Sequence, residues 1–330
     1  MGSDVYSTMV VYKHRTPKES NNKLGNNYQY FQMKKIELFT PQNWENYSLI
    51  DCGNFEKLER FGDFITIRPE PQAVWDKKLS DKDWKEKANV NFIGTTSNSG
   101  KWNKIKNMPD NWELIYQHPK YQIIFDLALT AFKHVGVFPE QATNWDYIYE
   151  SIRMLKNPTP RFLNLFAYTG GASMAANAAG AETYHVDSIK QVVSWANRNM
   201  EASGLRDIRW VVEDAVKFVK RELKRGKTYN GIILDPPAFG HGPNGESWKL
   251  EKNINEMLKD VLQLLDKEEY FLILNTYSLG FSSLIIDNML QSDLKKFNLQ
   301  PKEYSFGEIY LQSEQKDDLP LGVMARIRNI

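Results

Sequence analysis

The hydrophobic pattern changes character near Pro160. Upstream, short apolar runs alternate with turn residues. YSLIDCGNFEKLERFGDFITIRPEP, residues 47–71, reads as strands with tight turns at Cys52-Gly53-Asn54 and Gly62-Asp63. Ser80 to Pro109 is polar and carries SNSG at Ser97 to Gly100, which predicts a loop-rich connector. From Asn111 to Val137 the chain again predicts strands: WELIY, YQIIFDLAL and KHVGVF. From Gln141 to Met154 the spacing turns helical, with Trp145, Ile148 and Ile152 on one face.

Downstream, strands and helices alternate. RFLNLFAYTGG is a strand entering a glycine turn, and ASMAANAAGA a small-residue helix stopped by Gly180. ETYHVDSI, IRWVVEDA, YNGIILDPP and EEYFLILNTYS predict four further strands. The segments between them are helical: KQVVSWANRNMEASGL with Gly204 as C-cap, VKFVKRELKRGK, and Asn253 to Leu265. Strict alternation argues for an α/β fold with a parallel sheet covered on both faces. KEYSFGEIYLQS and LPLGVMARIRNI, joined by EQKDD, predict a closing antiparallel hairpin. The expected organisation is a disordered leader over 1–32, a small β-rich module and connector over 33–110, a β-hairpin segment over 111–140, and the α/β domain over 141–330.

Composition excludes several classes. Lys plus Arg is 42 and Asp plus Glu 41, so net charge demands no polyanion partner. One cysteine, Cys52, rules out a disulfide framework or a Cys-rich zinc site and fits a reducing, cytoplasmic setting. No apolar run approaches the roughly 20 residues of a membrane span. His134 and His185 lack companions at metal-ligand spacing, so no metal site is expected. The leader lacks the apolar core of a secretory signal, and its composition favours disorder over organelle targeting.

In doubly wound sheets, ligands sit beyond the carboxyl ends of the strands. Gly170 and Gly171 let a backbone approach a ligand, or simply make a turn. Asp187 follows roughly 20 residues later, where an acid can bond both hydroxyls of a ribose. The dinucleotide fingerprint G-x-G-x-x-G is absent, which counts against NAD. Asp214 suits an adenine amino group, a helix N-cap, or both. The fourth strand ends in ILDPPAFGHG. Its prolines stop the strand and stiffen the chain behind Asp235. Asp235 and the Pro236 carbonyl are fixed acceptors, and Phe239 offers a flat face. That set suits an exocyclic amino group on a planar substrate. The bland alternative is a strand terminator with a core phenylalanine. His241 to Gly245 reads as a lid or a plain surface loop. The run Lys217, Lys220, Arg221, Lys224, Arg225, Lys227 points away from the strand carboxyl ends and is read as a solvated face.

Taken together, NLFAYTGGAS (Asn164 to Ser173), HVDSIKQVVSWANRN (His185 to Asn199), VVEDAVKFV (Val211 to Val219) and ILDPPAFGHG resemble the class I S-adenosylmethionine-dependent methyltransferases. More narrowly, they resemble the branch of bacterial 23S ribosomal RNA methyltransferases. The resemblance implies a Rossmann-like sheet with a C-terminal antiparallel hairpin and S-adenosylmethionine as cofactor. It implies cofactor contacts at Asn164, Phe166, Tyr168, Thr169, Gly170, Gly171, Asp187, Ser188, Asp214 and Ala215. Gln141, in HVGVFPEQ, matches a segment that reaches the cofactor. Asp235, Pro236 and Phe239 become the catalytic, substrate-facing set. The branch often has F-L-D-Q-R where this chain has Phe138-Pro139-Glu140-Gln141-Ala142, so that arginine contact is missing. ILNTYSLG, after the fifth strand, lacks the cysteine of the cytosine-C5 enzymes, which favours transfer to nitrogen. The implied substrate is RNA, ribosomal RNA first. A protein or small-molecule N-methyltransferase and a non-catalytic nucleotide-binding module are the alternatives. By analogy the N-terminal module, with Lys57, Arg60, Arg68 and its aromatics, is a candidate RNA binder.

Overall fold

The computed structural model describes residues 34–95, 99–242, 245–277 and 280–330. The expected leader lies outside them, as do Ser97 and Asn98 of the SNSG turn and Pro243 and Asn244 of the loop after the proline motif. Lys35–Ile330 forms one compact unit.

A short strand, β1 (Glu37–Phe39), comes first. An antiparallel meander follows: β2 (Tyr47–Gly53), β3 (Glu56–Phe61) and β4 (Phe64–Pro69), with turns where glycine spacing places them. The expected loop-rich connector is instead structured. It holds α1 (Asp81–Lys87), β5 (Val90–Gly94) and β6 (Gly100–Lys104), and the two strands extend the meander to five. Ser80 and Asp83 form a reciprocal capping box on α1, and Trp84 anchors the helix by donating to buried Asp51 across 2.8 Å. Such a seven-residue helix is too short for periodicity to reveal. β7 (Asn111–His118) and β8 (Tyr121–Ala128) pair as a hairpin. KHVGVF is not a strand. Val135 and Val137 are buried, but Gly136 at φ +110° breaks the extended run, and its missing side chain makes room for the Trp195 ring.

A single 3-10 turn, Pro139–Gln141, leads into α2 (Ala142–Met154). Then come β9 (Arg161–Leu165), α3 (Gly171–Ala178), β10 (Glu182–Asp187), α4 (Lys190–Ala202), β11 (Arg209–Val212), α5 (Ala215–Lys224) and β12 (Gly231–Leu234). A small hairpin, β13 (Phe239–His241) with β14 (Ser247–Lys249), precedes α6 (Leu250–Gln263) and β15 (Tyr270–Thr276). The sequence reading passed over α7 (Ser283–Lys296), although Ile286, Leu290 and Leu294 recur at helical spacing and are buried. β16 (Glu303–Gln312) and β17 (Asp318–Asn329) form the closing hairpin.

The large sheet runs β1-β16-β17-β15-β12-β9-β10-β11. Only β17 is antiparallel to its neighbours. The mostly parallel α/β architecture with its C-terminal hairpin is thus the expected one; β1, which adds parallel to β16, was not foreseen. All seven residues of β15 are buried, as befits an interior strand covered on both faces. Parallel register lines up the strand ends: Leu165 with Val186 and Leu234, and Asp187 with Val212. Asp187 and Asp235 therefore emerge at the same edge.

Candidate active site

That edge opens into a cavity of about 460 Å³. Such a volume lies within the roughly 300–1,000 Å³ range of cofactor and small-molecule sites. Asp187, Ser188, Asp214, Ala215, Phe166, Tyr168, Gln141, Asp235, Pro236 and Phe239, drawn from five separate segments, all line it. Asn164, Thr169, Gly170 and Gly171 line an adjoining side pocket of about 50 Å³ instead.

The glycine turn after β9 is held by strain and by hydrogen bonds. Phe166 and Tyr168 have φ of +59° and +49°, left-handed values that side chains adopt only when the surroundings enforce them. Asp187 supplies part of that enforcement. Its Oδ2 accepts the Tyr168 N–H at 3.0 Å and its Oδ1 the Ile189 N–H at 3.0 Å. Each oxygen keeps lone-pair capacity toward the cavity. Burial raises the Asp187 pKa, and the three backbone N–H groups of Ile189, Tyr168 and Ser188 oppose that rise.

Several expected cofactor residues also carry structural work. The Thr169 hydroxyl donates to the Gly136 carbonyl at 2.6 Å, tying the turn to the segment before the sheet. Asn164 donates to Ser173 Oγ at 2.9 Å, and Ser173 Oγ lies 3.0 Å from His185 Nδ1. Burial drives His185 down to about 3, so it is a neutral core histidine. Gly171 is needed for packing: a Cβ there would sit 2.6 Å from the Trp145 ring. Asp214 caps α5 through the Lys217 N–H at 3.0 Å and also lines the cavity. Gln141 Oε1 accepts from Asn144 at 2.8 Å.

At the tip of β12, Asp235 is half-buried, and desolvation pushes its pKa up to about 6 despite a 2.6 Å hydrogen bond from Asn275 Nδ2. Pro236 is buried behind it. Phe239 is 69% exposed, which removes the reading of a core phenylalanine. The residues after it make the β13–β14 hairpin. Its Trp248 donates to the Pro237 carbonyl at 2.7 Å and packs on Phe166 with ring centroids 5.0 Å apart.

The sequence did not reveal the opposite wall. Lys57, Arg68, Glu70, Lys133, Glu140, Asn275 and Tyr277 complete the cavity. Arg68 gives Nε and Nη2 to Glu59 at 2.8 and 2.6 Å, and Arg60 bonds the Glu45 and Gly62 carbonyls. Lys57 and Arg68 are buried, so the basic residues offered as an RNA surface are turned inward or engaged locally. The only signal was charged residues inside strands β3 and β4, which sequence alone cannot orient. Basic residues of α5 and its C-cap pair with acids: Lys217 with Glu246, Arg221 with Glu213 and Arg225 with Glu222. Cys52 is buried in the N-terminal sheet, and burial pushes its thiol up to about 12, which leaves it inert. No cluster of three metal-ligating side chains occurs among the described residues, and no described helix is long and apolar enough to cross a membrane.

No protein-family model matches the sequence. The fold and chain compare closely, however, with the crystal structure of a SAM-dependent methyltransferase from Agrobacterium tumefaciens. The two share 33% identity and a TM-score of 0.82, over 91% of this chain and 99% of that one. The chain belongs to the S-adenosylmethionine-dependent methyltransferases. It also matches curated proteins named ribosomal RNA large subunit methyltransferase K/L. The one from Magnetococcus marinus is 31% identical over 151 residues, 44% of this chain and 20% of that protein. The one from Methylococcus capsulatus is 35% identical over 109 residues, 32% of this chain and 15% of that protein. The chain thus spans a fifth or less of these curated relatives.

Proposed function

We propose that this methyltransferase modifies a base nitrogen of RNA, with ribosomal RNA the substrate class, in the cytoplasm. The observation that carries the reading is the pairing of an exposed Phe239 with a half-buried Asp235 at one cavity mouth. A carboxylate beside a flat, solvent-facing ring suits a planar group carrying N–H donors. The names of the partial relatives support RNA over other planar substrates.

The cavity fits the family's cofactor. Asp187 keeps lone pairs that would take two ribose hydroxyls, Asp214 and Ala215 would hold the adenine, and the glycine turn lines the adjoining pocket. S-adenosylmethionine, when bound, supplies an electrophilic methyl on a sulfonium. Asp235 and the Pro236 carbonyl accept the hydrogens of the substrate nitrogen and aim its lone pair. Phe239 holds the ring plane. As the nitrogen took the methyl, the sulfonium's carbon–sulfur bond would break and leave S-adenosylhomocysteine, while Asp235 would take up the proton lost from the nitrogen and pass it to solvent. Rate comes mainly from this positioning.

The test is transfer of radiolabelled methyl groups to ribosomal RNA, total protein and small metabolites, each from cells lacking the gene. Label in RNA that maps to one nucleotide, and is lost in Asp235→Ala, is the expected result. Label confined to protein or metabolites would overturn the substrate and leave the chemistry.

A further inference from the structure

The segment that follows β8 is tied down carbonyl by carbonyl. The Thr130 carbonyl accepts the Trp102 indole N–H at 2.7 Å, and the Ala131 carbonyl the Gly100 N–H at 3.2 Å. Arg68 donates to the Lys133 carbonyl at 3.2 Å, and the Ala128 N–H to the Val135 carbonyl at 3.0 Å. The Thr130 hydroxyl serves the other two, with His134 O at 2.8 Å and Phe132 O at 3.1 Å, and accepts the Phe132 N–H at 3.2 Å. Every carbonyl of residues 130–135 is thus engaged. Yet the Phe132 side chain is 57% exposed. That exposure does not come from slack backbone, and a ring on a fixed turn has already lost freedom that binding would otherwise remove.

What the ring meets is indicated by its neighbour. Lys133 follows directly and lines the cavity, half-buried. The other cations of that wall are matched: Lys57 pairs with Glu59 and Glu70, and Arg68 with Glu59. Lys57 is also the counter-charge of Glu140. Lys133 makes no ion pair among the described residues, and its ammonium has one long bond, 3.4 Å, to the Pro69 carbonyl. Burial lowers its pKa, with Glu70 opposing and Lys57 and Arg68 adding to the fall. An anion there would take up its remaining donors and offset the desolvation of the charge. A fixed exposed ring beside an unpaired cation, at a cavity that also carries exposed Phe239, has the composition of a single-stranded nucleic-acid groove. A protein partner would call for a wider apolar patch, whereas Phe132 is flanked by an exposed alanine and this lysine.

We propose that the 130–134 turn is a second RNA contact: Phe132 stacks on the base next to the target nucleotide, and Lys133 holds the phosphate between them. The inference rests on the RNA reading of the site and extends it to a flanking nucleotide. It gives the N-terminal sheet a part in substrate binding, since Arg68 of β4 and Gly100 and Trp102 of β6 fix the turn. A phosphate and a base face are common to every nucleotide, so this contact adds affinity and register and little choice of sequence. Choice of the target base stays with Asp235 and the Pro236 carbonyl.

The experiment measures methyl transfer to ribosomal RNA from cells lacking the gene, by the native chain, Phe132→Ala, Phe132→Tyr and Lys133→Met. Phe132→Ala should raise KM for the RNA about tenfold and leave kcat, S-adenosylhomocysteine affinity and melting temperature unchanged. Phe132→Tyr, which keeps a stacking face, should restore KM. Lys133→Met should reduce by about one the slope of log affinity for that RNA against log salt, again with S-adenosylhomocysteine affinity unchanged. An unchanged KM in Phe132→Ala, while the native chain labels the RNA, would overturn the stacking contact and leave the RNA reading standing. A fall in S-adenosylhomocysteine affinity in Lys133→Met would assign that ammonium to the cofactor and overturn the phosphate contact. Absence of RNA label from the native chain would overturn the substrate reading, and the proposal with it.

Discussion

Asn275 donates its amide to Asp235 across 2.6 Å, and its own buried Oδ1 has no partner among the described residues. The two residues end neighbouring strands, β15 and β12, and both line the cavity. That bond is the sole hydrogen bond to the Asp235 carboxylate among the described residues. Asn275→Ala should therefore raise the Asp235 pKa further and cut turnover at neutral pH by about ten- to a hundredfold, the weight of one hydrogen bond to a charged group. The loss should shrink at high pH. A pH-independent loss would mean that Asn275 acts by packing alone.

Asp235 must be ionised to accept a substrate hydrogen. Its pKa is raised to about 6, so turnover should fall as pH drops through about 6. A pH profile of single-turnover methyl transfer reads this directly. An unchanged rate down to pH 5 would exclude Asp235 as the acceptor.

The same shift has a consequence for stability. A carboxyl whose folded pKa exceeds its unfolded value favours the native state at low pH, and that contribution is lost as pH rises through the folded pKa. Asp235→Asn removes the penalty and keeps an acceptor for Asn275. It should stabilise the protein at pH 8 by about 1–3 kcal/mol, with no gain below pH 4. Urea unfolding at the two pH values checks the sign.

Phe239 is exposed and bears little of the fold. Phe239→Ala should leave the melting temperature unchanged while weakening substrate binding by about 1–3 kcal/mol, the range for one base–aromatic stack. Cofactor affinity should not move. A large fall in stability instead would place Phe239 in the core of the β13–β14 hairpin.

Gly171 opens α3 against the ring of Trp145 on α2. Gly171→Ala should cost about 1–3 kcal/mol through overpacking, and adding Trp145→Leu should recover part of it. Denaturant titration of the single and double variants measures the coupling.

Most of the α/β half was legible because strands and helices alternate and several end at a clear signal: α3 before Gly180, β10 at Asp187, and β12 before Asp235 and Pro236. Asp187 and Asp235 could be placed from strand order alone, since parallel strands put their carboxyl ends on one edge. Glu140, Lys57 and Arg68 could not. Their role depends on how a separate sheet folds back over that edge, and no periodicity in β3 or β4 encodes it. Lys57, Leu58 and Glu59 are all buried in succession, so alternation fails where the strand is covered on both faces. Asn275 was hidden for another reason. It lies within an unbroken apolar strand, and its importance comes only from Asp235 next to it. KHVGVF misled because two buried valines flank a glycine whose left-handed turn no apolar count can register.

β1 pairs with β16, Glu37 against Gly307, and a side chain at Gly307 would collide with the Glu37 backbone. During synthesis on the ribosome, Glu37 is exposed long before Gly307 is made. β1 must therefore wait for this partner until β16 has emerged. The sheet that carries the site is sealed at its edge by a long-range closure, so order at this edge reports on the pairing of distant segments in a way that the local pairing of the meander cannot.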